Sequence, residues 1–230
     1  MQISFKHNFI FIHIPKTAGS SITQYLNEYL TEEEKTLSQK FPSHATAQMI
    51  QDKLGEIQYN KMFKFAFVRN PWEHQFSLYN YILRAPFHPS YSKVSQCKCF
   101  SEYVYNVLDN DPQPCQKDYL ISPNLDKVIV DFIGRFENIN LDFQKICYHL
   151  NLPQRPLPFI NKNPITSQSY FEHYTPDLIN LIGKKFQKDI EYFVYKFPFK
   201  SQEKEKIKNQ EKRRNLESIK YQLKIKKRQL

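Results

Sequence analysis

The stretch Phe9–Ile22, FIFIHIPKTAGSSI, decides how the chain is read. Its first six residues are apolar except His13, the pattern of a strand covered on both faces in a parallel sheet. PKTAGSS then breaks the run. Beyond it Ile22, Tyr25, Leu26, Tyr29 and Leu30 recur at i, i+3, i+4, i+7 and i+8, which is one face of a helix. The chain has only 4 glycines, and Gly19 stands in this junction with Lys16 three residues before it. Two readings are open. In one, Ser20 or Ser21 caps the helix and Lys16 is solvated. In the other, the junction seats a phosphate. A loop at the carboxyl end of a strand aims backbone N–H groups at one point, and the helix start adds unsatisfied amides and a positive dipole end. Gly19 would then allow close backbone approach beside Ala18. Thr17, Ser20 and Ser21 would supply hydroxyls, and Lys16 a mobile cation. A Walker A loop carries its lysine after the second glycine and directly before Ser/Thr. Lys16 precedes Gly19, so ordinary ATP or GTP hydrolysis is disfavoured.

Outward from this junction, Thr31–Lys40 is a polar stretch and Thr46–Leu54 reads as a helix. A second strand–turn–helix starts at Phe63: KFAFVR is a buried strand, Asn70 an N-cap, Pro71 the first helical residue, and Phe76, Tyr79 and Leu83 a helix face. Ala85–Pro123 reads as a loop-rich insertion with short helices. KVIVDFIGRFENI, Lys127–Ile139, offers a third strand, after which Asn140 caps a helix carrying Leu141, Phe143, Ile146, Cys147 and Leu150. Leu152–Ser169 is rich in Pro, Asn and Ser and reads as loop, and Pro176–Tyr195 returns to helical spacing. Strands alternating with helices predict a three-layer α/β domain with a largely parallel sheet.

The formal charge of +10 is unevenly spread, because Lys200–Leu230 holds twelve Lys/Arg against four Glu. Basicity is therefore a property of the tail, residues 200–230, which reads as a solvated helix able to contact anionic surfaces; the body, residues 1–199, is nearly neutral. Cys97, Cys99, Cys115 and Cys147 lack the spacing of a metal knuckle and read as structural thiols. No secretory signal is evident, and no segment approaches the ~20 apolar residues that span a bilayer. The expectation is a soluble, cytoplasmic protein.

HIPKTAGSS, His13–Ser21, resembles the 5′-phosphosulfate loop of sulfotransferases, in the family that includes the Golgi carbohydrate sulfotransferases and many bacterial relatives. FAFVRNPWEHQFSLYNY, Phe65–Tyr81, resembles the 3′-phosphate element of that family, an Arg and a Ser eight residues apart, here Arg69 and Ser77. IVDFIGRFENINLDF is similar to a third block. NLPQRPLPFINKNP and HYTPDLINLIGKKFQKDIEYFVYKF are similar to the C-terminal part, so the likeness covers about residues 5 to 199. It implies a P-loop-NTPase-like sulfotransferase fold and transfer of a sulfuryl group from 3′-phosphoadenosine-5′-phosphosulfate (PAPS) to a hydroxyl acceptor, most simply a glycan. Lys16, Thr17, Ala18, Gly19, Ser20, Ser21, Arg69 and Ser77 would bind the donor. No metal and no specific nucleic acid are called for. His74 stands where relatives often carry another Arg, which removes a secondary nucleotide contact.

An acceptor hydroxyl needs a general base, and histidine suits neutral pH. His44, in PSHATAQMI, matches the family position of that base, although beside Ser43 and Thr46 it also reads as a surface or capping histidine. His13 is expected to pack under the first loop. Lys16 is the group to stabilise charge on the leaving oxygen. Arg135 and Glu137 read as a structural ion pair, and Lys162 is left unassigned. Acceptor recognition is expected from Thr31–Ser43 and Ala85–Pro123. The competing reading is a non-catalytic module that binds nucleotide or polyanion through its basic tail.

Overall fold

Phe9–Ile12 (β2) and Phe63–Val68 (β3), the two apolar runs, lie side by side in parallel, Phe9 opposite Phe63 and Ile12 opposite Ala66. Gln2–Ser4 (β1) adds antiparallel to β2, too short to show a period in the sequence. Ile121–Ser122 (β4) and Lys127–Val128 (β5) form a separate hairpin, and Phe132–Arg135 (β6) pairs in parallel with β3, giving the order β1-β2-β3-β6. The single strand expected from Lys127 onward is thus divided. Asp131 divides it: its carboxylate accepts the Lys64 backbone N–H at 2.7 Å and pairs with Lys64 Nζ at 2.9 Å, anchoring the start of β6 to β3.

The computed structural model describes residues 1–111, 113–158 and 167–198, and Met1–Lys196 form one compact unit. The boundary expected at residue 199, the basic tail and Lys162 lie outside the described residues. The helices in chain order are α1 (Gly19–Asn27), α2 (Glu32–Gln39), α3 (Ala47–Leu54), α4 (Glu56–Lys61), α5 (Pro71–Ile82), α6 (Tyr91–Val94), α7 (Phe100–Tyr103), α8 (Ile139–His149), α9 (Pro176–Lys185) and α10 (Gln187–Phe193). Among the described residues, no helix is long and apolar enough to cross a membrane.

Strand alternation points Phe9, Phe11, Phe65 and Phe67 to one face, where they form a core with Ile22, Tyr25 and Leu26 of α1 and Phe143, Ile146 and Cys147 of α8. Ile10, Ile12, Ala66 and Val68 face the other way and are equally buried. On that side the Lys64 ammonium lies 5.4 Å from the ring centroid of Tyr59 in α4. Helices therefore cover both faces, and the expected three-layer arrangement holds. α5 starts as its sequence dictates, with Pro71 in the first turn and Asn70 Oδ1 accepting from Trp72 N at 3.2 Å. α8 starts earlier than expected: a 3₁₀ turn over Phe136–Asn138 runs straight into it, so Asn140 lies inside the helix and does not cap it.

The polar stretch after α1 is largely helical. Thr31 Oγ1 accepts from Glu34 N at 3.3 Å while the Glu34 carboxylate accepts from Thr31 N at 3.0 Å, a reciprocal cap that starts α2. Glu34 is buried and also accepts from Lys6 N at 2.9 Å and Ser4 Oγ at 3.2 Å, so α2 is bolted to β1. The T-x-x-E spacing that announces this helix is present in the sequence.

Gly19 also differs from expectation. The left-handed positions of the junction are Lys16 (φ 61°) and Ala18 (φ 67°), and the constraint on Gly19 is steric: an added Cβ would lie 1.8 Å from His13 Cδ2. The residue that approaches closely is the His13 ring, which packs against the loop as expected.

Two stability outcomes follow. Gly19→Ala must displace the His13 ring or the start of α1, at a cost of about 1–3 kcal/mol in denaturant unfolding. Glu34→Ala strands several buried donors and costs at least ~2 kcal/mol, with Glu34→Gln falling between it and the native protein.

Candidate active site

Both strand–helix junctions open into one cavity of about 930 Å³ at the carboxyl ends of β2 and β3. That volume is at the upper end for sites that enclose a small ligand. Lys16, Ala18, Gly19, Ser20 and Ser21 line it from the first junction, Arg69 and Ser77 from the second, and His44 from the segment before α3. The expected residues thus converge, with one exception. Thr17 is fully buried and its hydroxyl donates inward to Ile14 O at 2.9 Å, so the hydroxyl expected from it is turned away.

The first loop carries two non-glycine left-handed residues, a conformation that costs of order 1 kcal/mol or more each unless the surroundings enforce it. The second junction enforces it. His74 Nε2–H donates to Pro15 O at 2.9 Å, and Arg69 Nη1 donates to Lys16 O at 3.2 Å. His74 therefore holds the loop's backbone where an arginine was expected to reach a nucleotide. Burial pushes its pKa down to about 4, and it is the neutral ring whose Nδ1 lies 3.3 Å from the Gln75 amide nitrogen. Held this way, the loop delivers α1 with Ala18 at its N-cap, which offers no side-chain cap. Ser20 and Ser21 lie inside the first turn, so neither is the N-cap residue, and the leading residues of α1 line the cavity.

The cations are arranged unequally. Arg69 donates through Nη2 to Glu73 at 2.8 Å and stacks its guanidinium 3.8 Å from the Phe136 ring centroid, yet its buried Nε has no partner among the described residues. Its backbone is clamped on both sides by Gln116, which accepts Arg69 N at 2.8 Å and donates to Arg69 O at 2.7 Å. Gln116 N in turn donates at 2.8 Å to Asp189, a wholly buried carboxylate on α10. Neither Gln116 nor Asp189 carried any sequence signal. Among the described residues Lys16 has no salt bridge; its ammonium lies 3.9 Å from the centroid of the Tyr81 ring. Burial, followed by the nearby charges of Arg69 and Arg84, lowers its pKa to about 8.

His44 Nδ1 lies 2.8 Å from His13 O. A carbonyl can only accept, so Nδ1 carries the hydrogen and the neutral ring presents a lone pair at Nε2. Burial lowers the His44 pKa below its ordinary value, partly offset by that hydrogen bond. The His13 ring packs 4.6 Å away edge-on and is itself held neutral by burial, its pKa lowered to about 3. His44 thus stands at the cavity as a neutral ring with its hydrogen on Nδ1. Arg135 and Glu137 do not pair with each other. Arg135 donates to Phe193 O at 2.6 Å, while Glu137 accepts from Asn70 N at 2.5 Å and from Tyr195 Oη at 3.2 Å, which fixes the second junction to the C-terminal helices.

The arrangement agrees with three comparisons. The sulfotransferase family model matches residues 1–196. An uncharacterized protein of Archaeoglobus fulgidus is 33% identical over 108 residues, which cover 47% of this chain and 83% of that one. Mouse sulfotransferase SULT7A1, solved in complex with PAP, superposes with a TM-score of 0.53 at 13% identity over 82% of this chain and 86% of its own, and so shares the fold. A sulfotransferase from Alicyclobacillus acidocaldarius, at 15% identity and a TM-score of 0.38 over 80% of this chain and 92% of its own, adds nothing to the argument. The P-loop-like sheet, its two facing junctions and the family match make this chain a member of the sulfotransferase family.

Proposed function

We propose that the protein transfers the sulfuryl group of PAPS to a hydroxyl of a carbohydrate acceptor. One observation carries the donor assignment: the start of α1, whose N-cap Ala18 offers no side-chain cap, and, without a partner among the described residues, the Lys16 ammonium and the buried Nε of Arg69 all border one cavity. Buried polar donors without partners are costly, so a site with this surplus is complemented by an anion. PAPS is anionic at both ends, a phosphosulfate for the α1 junction and a 3′-phosphate for Arg69 and Ser77. Glu73 keeps the arginine in place without satisfying its Nε.

In this reading the acceptor O–H gives its proton to His44 Nε2 as its oxygen attacks sulfur in line. The bond from sulfur to the phosphate oxygen breaks and its electron pair stays on that oxygen, where the Lys16 ammonium meets the new charge. The products are a sulfate ester and 3′-phosphoadenosine 5′-phosphate (PAP). Carbohydrate as the acceptor rests on the resemblance of the motifs. The Ala85–Pro123 segment supports a role in acceptor recognition, because His88, Ser90, Asp111, Gln113 and Tyr119 line the cavity whereas no residue of Thr31–Ser43 does.

Calorimetry with PAP tests the donor assignment. Lys16→Ala or Arg69→Lys should weaken binding at least ~10-fold, as loss of a charge-assisted contact does. His44→Ala should leave PAP affinity intact and cut turnover by ~10²-fold or more; near-native turnover would remove His44 as the base. The pH profile has two limbs. An anion binds the protonated lysine, so PAP affinity should fall as pH rises through about 8, and Lys16→Arg should abolish that limb. Turnover should fall on the acid side, as His44 takes up a proton below the ordinary histidine range.

A further inference from the structure

Lys16 and Tyr81 pose a problem that the donor assignment leaves open. The lysine belongs to the first junction and the tyrosine to the last turn of α5, and they meet ammonium to ring face at 3.9 Å inside the cavity. The Lys16 ammonium has no hydrogen-bond or ion-pair partner among the described residues, so the ring face is its whole support. A cation on a partly exposed ring is weakly held compared with a cation on a phosphosulfate. An arriving anion therefore draws Lys16 off the ring, and the ring face it leaves is bare.

The surroundings of that face have a definite chemistry. His88, from the Ala85–Pro123 segment, stands edge-on to Tyr81, with ring centroids 6.0 Å apart and planes at 90°. Its Nδ1 accepts from Ser90 N at 3.1 Å, so in the neutral ring the hydrogen sits on Nε2, a donor with no partner among the described residues. Burial, with the nearby Lys16 charge, lowers the His88 pKa and keeps it neutral. Ser90 also lines the cavity. An aromatic face bordered by an imidazole N–H and a serine is suited to a pyranose ring, whose C–H face is apolar and whose rim is hydroxylated.

We infer that Tyr81, His88 and Ser90 form the acceptor sugar subsite, and that Lys16 covers its aromatic face until the donor nucleotide binds. The inference rests on the donor assignment above and adds an order to it: nucleotide first, sugar second. Tyr81 is then both the resting place of the catalytic lysine and the platform of the substrate that follows.

The test uses the full chain, PAP as the nucleotide and a panel of methyl pyranosides as sugar probes. In the ligand-free protein, the Lys16 ε-methylene NMR signal, assigned by its loss in Lys16→Arg, should be shifted upfield by the Tyr81 ring. Saturating PAP should move it downfield. Saturation transfer to at least one pyranoside should be seen with PAP and be at least several-fold weaker without it. Tyr81→Leu should abolish the transfer while PAP affinity stays within about threefold of native or tightens, and Tyr81→Phe should retain both. An upfield shift that is absent, or that persists at PAP saturation, overturns the covering role. Transfer to no pyranoside in the PAP complex, or transfer unchanged in Tyr81→Leu, overturns the sugar subsite. Failure of PAP to bind at all would instead sink the donor assignment, and calorimetry separates that outcome from the others.

Discussion

Two hydrogen bonds to loop carbonyls hold the site together. Pro15 O accepts from His74 and Lys16 O accepts from Arg69, so two successive carbonyls of the first junction are pinned by the second. With its carbonyls drawn toward α5, the loop keeps Lys16 and Ala18 in the left-handed region, which ordinary L-residues avoid. That geometry presents the start of α1 to the cavity with Ala18, which has no capping side chain, at the N-cap. Strain in the loop and readiness for an anion share one cause, because the groups that fix the carbonyls leave the donors exposed.

Each layer behind those bonds has its own reason to be rigid. Arg69 sits in its place because Gln116 grips both polar groups of its backbone and Glu73 takes one edge of its guanidinium. Gln116 is held in turn by Asp189, and Asn70 by Glu137. Burial raises the Asp189 pKa to about 6, and two backbone N–H donors oppose the shift. Residues from α10 and its flank thus set the position of an arginine near residue 70 without lining the cavity. The cavity is a product of the whole domain, and neither junction would hold its shape alone.

Charge is distributed so that binding and chemistry stay separable. Lys16 and Arg69 bring positive charge to the cavity, while His13, His44 and His74 are all kept neutral by burial. Neutral histidines cost less to bury near arginine and lysine than charged ones would. His44, whose Nδ1 donates to His13 O, keeps a lone pair on Nε2 and lines the cavity. His13 and His74 serve as packing and as backbone clamps.

The sequence by itself determined the scaffold: apolar runs of strand length, a helical stripe after each, and breakers between them were enough to place β2, β3, α1 and α5. These are local signals, since period and capping depend on neighbours a few residues apart. Lys16, Arg69, Ser77 and His44 were named as a set through the resemblance of short segments to family motifs, and those residues line one cavity. Thr31 and Glu34 were also legible, as a capping pair, although the polarity of the stretch argued for a loop. What tertiary structure alone decided was which atoms face the cavity. Thr17 turns inward, Gly19 is required by the ring of His13, His74 clamps a carbonyl, and Gln116, Asp189 and Tyr81 join the site from distant positions. Side-chain direction depends on contacts between residues far apart in the chain, and no periodicity records such contacts.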